Sequence, residues 1–407
     1  MHETFDRLGG NHRSRNINGY TFDIGSFIFR PGYPIFQHFP GLEARCVSFT
    51  PGNQRLSPRG EIRKYPYDPR EVMSSNPLTT LRYGSSLTRG RLTPGTPANA
   101  ETYLHRVLGR ELYQDLGLAH YLRRFYGVEP STIDRQFVDD RMQFLLKATE
   151  PAALVRTVRK MVGSKSENPV NGQAHRMALA RPRDGFDALY TPVRDSLEAR
   201  GVTFQLGADL VGVQRGDGGF EIALGDRTVR ARRLINTMPL PVVGHILDGA
   251  PDIDLKSSRL ISLYVSFEGA RAFSAPVFFN FHADGRWKRL TMHSDVYGKV
   301  GNRAYFCVEV PELTPEASSI EALFEDFRTH VSQHGVFDGD MNLEGGDVSE
   351  HAYPVYSIGY QDQLRKGLAH LESLGIESVG RQGRFDYLPT SHGVMTQVDR
   401  HLNARAC

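Results

Sequence analysis

The sequence predicts an α/β fold in three parts. One part is assembled from residues 1–65, 181–245 and 366–407, the second is a helical insertion over 66–180, and the third is an antiparallel-sheet domain over 246–365. Three observations predict it. From Ile261 the chain alternates, with Ile261, Leu263, Val265 and Phe267 on one side and Ser262, Tyr264 and Ser266 on the other, the period of a half-buried antiparallel strand. Ala100, Tyr103, Leu104, Val107 and Leu108 keep the spacing of one helix face, at the start of a helical stretch over 98–162. From Phe186 a helix, a strand and a three-stranded meander follow one another with short Gly-bearing turns.

The first 65 residues are rich in Gly, Pro and aromatics, which predicts loops and short strands. A helix is expected to start at Pro130–Ser131, with Ser131 and Asp134 as its capping pair. Residues 163–175 (GSKSENPVNGQAH) form a polar break, read as a loop. Phe186, Leu189, Val193 and Leu197 mark an amphipathic helix that ends at Gly201. VTFQL, VGVQR, FEIAL and VRARRLINT follow as strands, and PVFFNFH, KRLTMHS and RAYFCVEV continue the alternating sheet. A helix at 317–334 carries Ile320, Leu323, Phe324, Phe327 and Val331 on one face. Another is expected near 361–374, before the short strand ESVG.

Composition narrows the function classes. The 407 residues are 40% hydrophobic and 23% charged, ordinary values for a globular protein. No apolar run of membrane-spanning length and no signal-peptide segment is present. Cys46, Cys307 and Cys407 lie far apart and form neither a CxxC pair nor a zinc spacing, which predicts a reducing, cytoplasmic setting. His12, His282 and His293 stand at no ligand-like spacing, so the sequence argues no metal. Net charge is only +3 and arginine heavily outnumbers lysine. The basic residues are scattered, with no nucleic-acid motif among them, so the expected partner is an anionic small molecule bound by guanidinium forks. The oligomeric state is not readable.

Three motifs carry chemistry. The first is Glu3-Thr-Phe-Asp-Arg7-Leu-Gly9-Gly10-Asn-His-Arg13-Ser14. A carboxylate at a strand end can accept both ribose hydroxyls of an adenosine, and the glycine pair lets backbone approach a pyrophosphate or a ring. It continues into Gly19-Tyr20-Thr-Phe22-Asp23-Ile-Gly25-Ser26-Phe27. The second runs from Arg181-Pro-Arg183-Asp-Gly185-Phe186 to Leu234-Ile-Asn-Thr237-Met-Pro239. The third is Val379-Gly380-Arg381-Gln-Gly383-Arg384-Phe385-Asp-Tyr387, followed by Thr390-Ser-His392-Gly-Val-Met395.

Together these resemble the FAD-binding domain of the amine oxidase, protoporphyrinogen oxidase and UDP-galactopyranose mutase superfamily, over nearly the whole chain. The resemblance implies a Rossmann-like FAD-binding domain that is incomplete at its N-terminus. The family's opening strand–GxGxxG–helix has no counterpart here, and roughly 35 residues would supply it, so a truncated chain is the expectation. Cofactor contacts would fall to Glu3, Arg7, Gly9, Gly10, Arg13, Ser14, Gly25 and Ser26, to Leu210 and Val211, and to Gly380, Arg381, Tyr387 and Met395. A helix N-terminus near Gly380–Arg381 would stabilise charge developing on a reduced flavin.

Trp287-Lys288-Arg289 and Tyr353-Pro354-Val-Tyr356 resemble the segments that bring an Arg and a Tyr to substrate in mutase-like members. Substrate contact is therefore expected of Arg183, Arg289, Tyr353 and Tyr356. Phe27 stands where many relatives carry a histidine, which weighs against mutase chemistry. The resemblance thus implies an FAD-dependent oxidoreductase moving a hydride from substrate to flavin N5. The alternatives are a redox-neutral mutase and a flavin-free, non-enzymatic protein on the same fold.

Overall fold

The computed structural model describes residues 1–25, 28–67, 76–142, 177–225, 227–247, 249–313 and 319–403. Its strands are β1 (His2–Glu3), β2 (Ser14–Ile17), β3 (Tyr20–Asp23), β4 (Val47–Phe49), β5 (Asn53–Leu56), β6 (Ile62–Lys64), β7 (Ala178–Ala180), β8 (Gln205–Leu206), β9 (Leu210–Gly216), β10 (Gly219–Leu224), β11 (Arg227–Ala231), β12 (Leu234–Asn236), β13 (Ser257–Arg271), β14 (Val277–Asn280), β15 (Arg289–Met292), β16 (Ala304–Glu312), β17 (Phe337–Pro354) and β18 (Ile376–Ser378).

The long alternating strand organises a seven-stranded sheet in the order β17-β13-β16-β15-β14-β5-β6. Ile261, Leu263, Val265 and Phe267 of β13 face a core built with Leu323, Phe324, Phe327 and Val331 of the helix Ile320–Gln333. Ser319 caps that helix by accepting the Ala322 N–H. The opposite face of β13 is buried too. Tyr264 stacks on Phe22 of the β2–β3 hairpin, and Ser262 and Ser266 are sequestered beside it. The polar half of the alternation therefore marks a second packed face, not a solvated one.

Two expectations change here. The sheet is not purely antiparallel, because β14 pairs parallel with β5. It also reaches outside residues 246–365, since β5 and β6 belong to the first 65 residues and form its edge. β15 sits between β14 and β16 with Arg289 opposite Glu309, which places two charges at the sheet's centre.

The strand-and-helix part is short in its sheets. β1 pairs parallel with β8, and β12 pairs parallel with β18, as two separate two-stranded pairs. The meander β9–β10–β11 is antiparallel as expected. The helix Asp187–Glu198 buries Leu189 and Val193. The helix Tyr360–Ser373 precedes β18.

Within residues 66–180, Ala100–Leu108 is helical and buries Ala100, Leu104 and Leu108. A further helix, Pro77–Leu92, lies ahead of the apolar periodicity and buries only Tyr83, so it leaves no amphipathic signal. Pro130–Thr132 is a single 3-10 turn; the helix proper is Gln136–Arg141. Its N-cap residue Arg135 makes no side-chain cap; Asp134 just ahead accepts the Gln136 N–H at 2.8 Å, and Ser131 is not part of the start. The 163–175 segment lies outside the described residues. No helix among the described residues is long and apolar enough to cross a membrane.

Candidate active site

Glu309 is a carboxylate in a strand whose nine residues are all buried. Such a charge persists only with partners, and the pairing of β15 with β16 supplies them. Arg289 Nε donates to Glu309 Oε1 at 2.8 Å, and Lys288 Nζ lies 3.0 Å from Oε2. Lys288 is 2% exposed and Glu309 is 1% exposed. Burial alone would raise the Glu309 carboxyl, but Arg289 and Lys288 outweigh it and hold the group down at about 2. Lys288 is pulled the other way by burial, below its ordinary value. Tyr353 closes the cluster, its hydroxyl accepting from Lys288 Nζ at 3.0 Å and donating to Glu309 Oε2 at 3.4 Å. Burial, with Glu309 adding, pushes that hydroxyl up to about 12, so Tyr353 stays a neutral donor.

The cluster forms one wall of a pocket. Tyr121, Phe125 and Phe279 contribute apolar rings, and Gly25, Arg141, Arg381 and Tyr387 line it as well. Lys288 Nζ sits 4.3 Å from the Tyr353 ring centre and 4.8 Å from that of Phe125. The Arg141 guanidinium lies 5.3 Å over Tyr387, and its buried Nε has no hydrogen-bond partner among the described residues. Arg381 donates to the Ala352 carbonyl, and its own Nε is likewise buried and unpartnered. Four cationic side chains thus line this space, and two of them, Lys288 and Arg289, pair with Glu309.

Gly25 bounds the pocket beneath Glu309. Its φ of +86° and the 2.9 Å that would separate a Cβ from Glu309 Oε1 both require glycine.

Of the residues expected to bind cofactor, Gly25, Arg381 and Tyr387 line this pocket. Of those expected at substrate, Arg289 and Tyr353 do. Motifs from both ends of the chain and from the central sheet therefore converge on one space. The remaining expected residues are placed otherwise. Glu3 accepts its neighbour Phe5's N–H at 3.1 Å beside β8. Arg7 is engaged by Asp6 at 2.8 Å and Asp187 at 3.4 Å in a separate cleft. Gly9 packs on Tyr190, while Gly10 is open.

Arg13 is buried, donates to Ser349 Oγ at 3.1 Å and leaves its Nε unpartnered. Ser14 donates to Asp23 at 2.6 Å and accepts the Phe186 N–H at 3.0 Å, so its hydroxyl joins two structural segments. Leu210 and the largely exposed Val211 begin β9. Gly380 opens the short helix Gly380–Gly383. Met395 packs on the cluster of Phe29, Phe36 and Leu189. Arg183 is exposed and donates to the Tyr297 carbonyl. Tyr356 is buried behind the wall, where its hydroxyl accepts the Tyr387 N–H at 2.7 Å. Ser26 and Phe27 lie outside the described residues.

Arg141, Lys288 and Glu309 are pocket-side residues that no sequence motif singled out. Glu309 carries a readable signal, being an acid inside the apolar run RAYFCVEV. Arg141 carries none, because only the packed structure lays its helix against Tyr387.

The pocket suits a flavin on one wall. A glycine backbone with no side chain in the way, buried guanidinium nitrogens with no partner, and aromatic faces match a planar, electron-accepting and anionic cofactor.

The family model of flavin containing amine oxidoreductases matches residues 2–320. Among solved structures, a reduced UDP-galactopyranose mutase superposes with a TM-score of 0.79 at 18% identity, covering 99% of this chain and 90% of that one. A candidate protoporphyrinogen oxidase from Exiguobacterium sp. 255-15 gives 0.69 at 15% identity, covering 99% and 92%. Cyclohexylamine oxidase from Brevibacterium oxydans IH-35A gives 0.60 at 12% identity, covering 99% and 92%. Among curated proteins no sequence match is found. At such identities the superpositions speak for the fold alone.

Proposed function

Because the chain belongs to the flavin containing amine oxidoreductases, we propose that it is an FAD-dependent oxidoreductase whose substrate is a small anion. The observation that carries the reading is the charge of the pocket. Arg141, Lys288, Arg289 and Arg381 face it, and Glu309 neutralises only part of them. A buried guanidinium without a carboxylate is costly unless a ligand supplies the anion. Arg141 is the residue best placed to receive it. When bound, FAD supplies the hydride acceptor. Gly25, Arg381 and Tyr387 would hold it, with Arg13 behind them. Lys288 and Arg289, kept in register by Glu309, would orient the substrate's acidic group. Tyr121 and Phe279 would exclude water from its carbon skeleton.

A second reading is a mutase-like, redox-neutral reaction on a sugar nucleotide. Arg289 at the pocket wall favours it, since that strand resembles the diphosphate-binding strand of mutase-like proteins.

The experiment begins with the visible spectrum of the purified chain. A band near ~450 nm, a property of the cofactor, is expected. A colourless protein that melts cooperatively would overturn the flavoenzyme reading in favour of a flavin-free protein. Anaerobic reduction by anionic against cationic candidate substrates then tests the charge preference. Turnover of UDP-galactose with no net flavin reduction would select the second reading.

A further inference from the structure

A second cluster lies outside the pocket, where the loop after β14 meets the helix Ile320–Gln333. His282 is on that loop, and His330 and His334 stand one helical turn apart. One nitrogen from each ring lies within 4.8 Å of the others. His330 Nε2 and His282 Nδ1 are 3.3 Å apart, and the ring centres are separated by 4.3 to 5.3 Å. Ligands at the usual zinc–nitrogen length around a tetrahedral ion are spaced about 3.3 Å apart. His330 and His282 stand at that separation through a hydrogen bond, and His282 Nδ1 also accepts the Asp284 N–H at 3.1 Å, so rotation of the rings is needed to aim all three at one ion. None of the three histidines lines the cationic pocket.

The loop is built to hold its position. Asn280 donates from Nδ2 to the carbonyls of Asp284, Gly285 and Trp287 and accepts the His282 N–H at 3.0 Å. Arg124 donates to the carbonyls of Ala283, Asp284 and Gly285 at 2.6 to 2.7 Å. Gly285 admits His330, whose ring would lie 2.7 Å from a Cβ there. The Asp284 carboxylate is 3.8 Å from His282 Nδ1 and largely exposed, within reach as a fourth ligand.

We propose that His282, His330 and His334 bind one divalent transition-metal ion, with Zn²⁺ as the best match, and that this ion braces the loop leading into Lys288 and Arg289. Three imidazoles suit zinc, copper, nickel and cobalt rather than magnesium or calcium.

Without metal, Trp287 donates to His330 Nδ1 at 3.1 Å, so the ring's proton sits on Nε2 and points at His282. Coordination through Nε2 takes the other tautomer, with the proton moved to Nδ1 and no net release, so the hydrogen bond from the buried Trp287 indole is lost. Trp287 is the only tryptophan in the chain, so its fluorescence reports on the site.

The test uses the untagged full chain after treatment with a chelator. Zn²⁺ is titrated against a chromophoric competitor, and Cu²⁺ or Co²⁺ is titrated against tryptophan fluorescence. One equivalent is expected to bind with a micromolar or tighter Kd and to quench Trp287 reversibly. His334→Asn, at the helix end, is expected to fold and to weaken binding at least tenfold. His282→Gln is expected to do the same. Absence of saturable binding overturns the proposal, as does undiminished binding in both variants. If either variant unfolds, the wild-type stoichiometry and quench alone decide it.

Discussion

Glu309 shows how much one side chain can determine. Its carboxyl sits at about 2 against an ordinary 4.5, because Arg289 and Lys288 outweigh the burial that would raise it. A carboxyl depressed by folding contributes stability that is complete above its unfolded value and is lost as pH falls towards the folded one. The difference corresponds to about 3 kcal/mol. Glu309→Gln is expected to lose that much in urea unfolding at pH 7, with the gap to wild type closing between about pH 4.5 and 2. A gap that stays constant over that window would show that the ion cluster does not hold the sheet.

Arg141 has the opposite character, since no carboxylate among the described residues pairs with it. Arg141→Ala is expected to raise KM for an anionic substrate by about 10- to 100-fold, the size of a lost charge-assisted hydrogen bond. The visible flavin spectrum should be unchanged. Loss of the flavin band instead would place Arg141 at the cofactor.

Among elements, β13 and the helix Ile320–Gln333 form the part of the molecule that sequence period describes best. Apolar residues two apart on the strand meet apolar residues three and four apart on the helix, because those periods put each set on one face. Phe327 is fully buried between them. Phe327→Ala is expected to cost about 3–5 kcal/mol through lost burial and the cavity left behind, read from the urea midpoint. Helix Pro77–Leu92 is the converse case. Only Tyr83 is buried, and its hydroxyl donates to Asp115 at 2.7 Å. Tyr83, the Asn76 cap, Ser86 accepting the Glu111 N–H at 3.2 Å and Arg82 pairing with Glu111 at 2.6 Å hold it where no apolar stripe announces it.

At the scale of the whole molecule, the packed sheet and the small parallel pairs differ in support. β13 is hydrogen-bonded along its length to β16 and β17 and covered on both faces. β1–β8 and β12–β18 are two- and three-residue pairs. Hydrogen exchange tracks such differences in local opening. Amides of β13 and β16 are expected to exchange by global unfolding, while those of β1 and β8 exchange orders of magnitude faster. Equal protection at both places would mean that the parallel pairs are held by more than their own ladders.

The alternating run from Ile261, the helix periods at 100–108, 187–198 and 320–333, and the meander were determined by sequence alone, because facing and turning are local properties. The motifs at Gly25, Arg289, Tyr353, Arg381 and Tyr387 were legible only through the family resemblance, which short runs of neighbouring residues are enough to carry. Only the tertiary structure decided that they share a pocket, that Arg141 enters it, and that β5 and β6 cross over to edge the sheet. It also brought His282 beside His330 and His334, a pair whose one-turn spacing is visible in the chain but points at no third ligand. Pairing between distant segments is set by the burial and charge of the packed whole. Glu309 records this most directly: the strand carries the acid, and the neighbouring strand makes it tolerable.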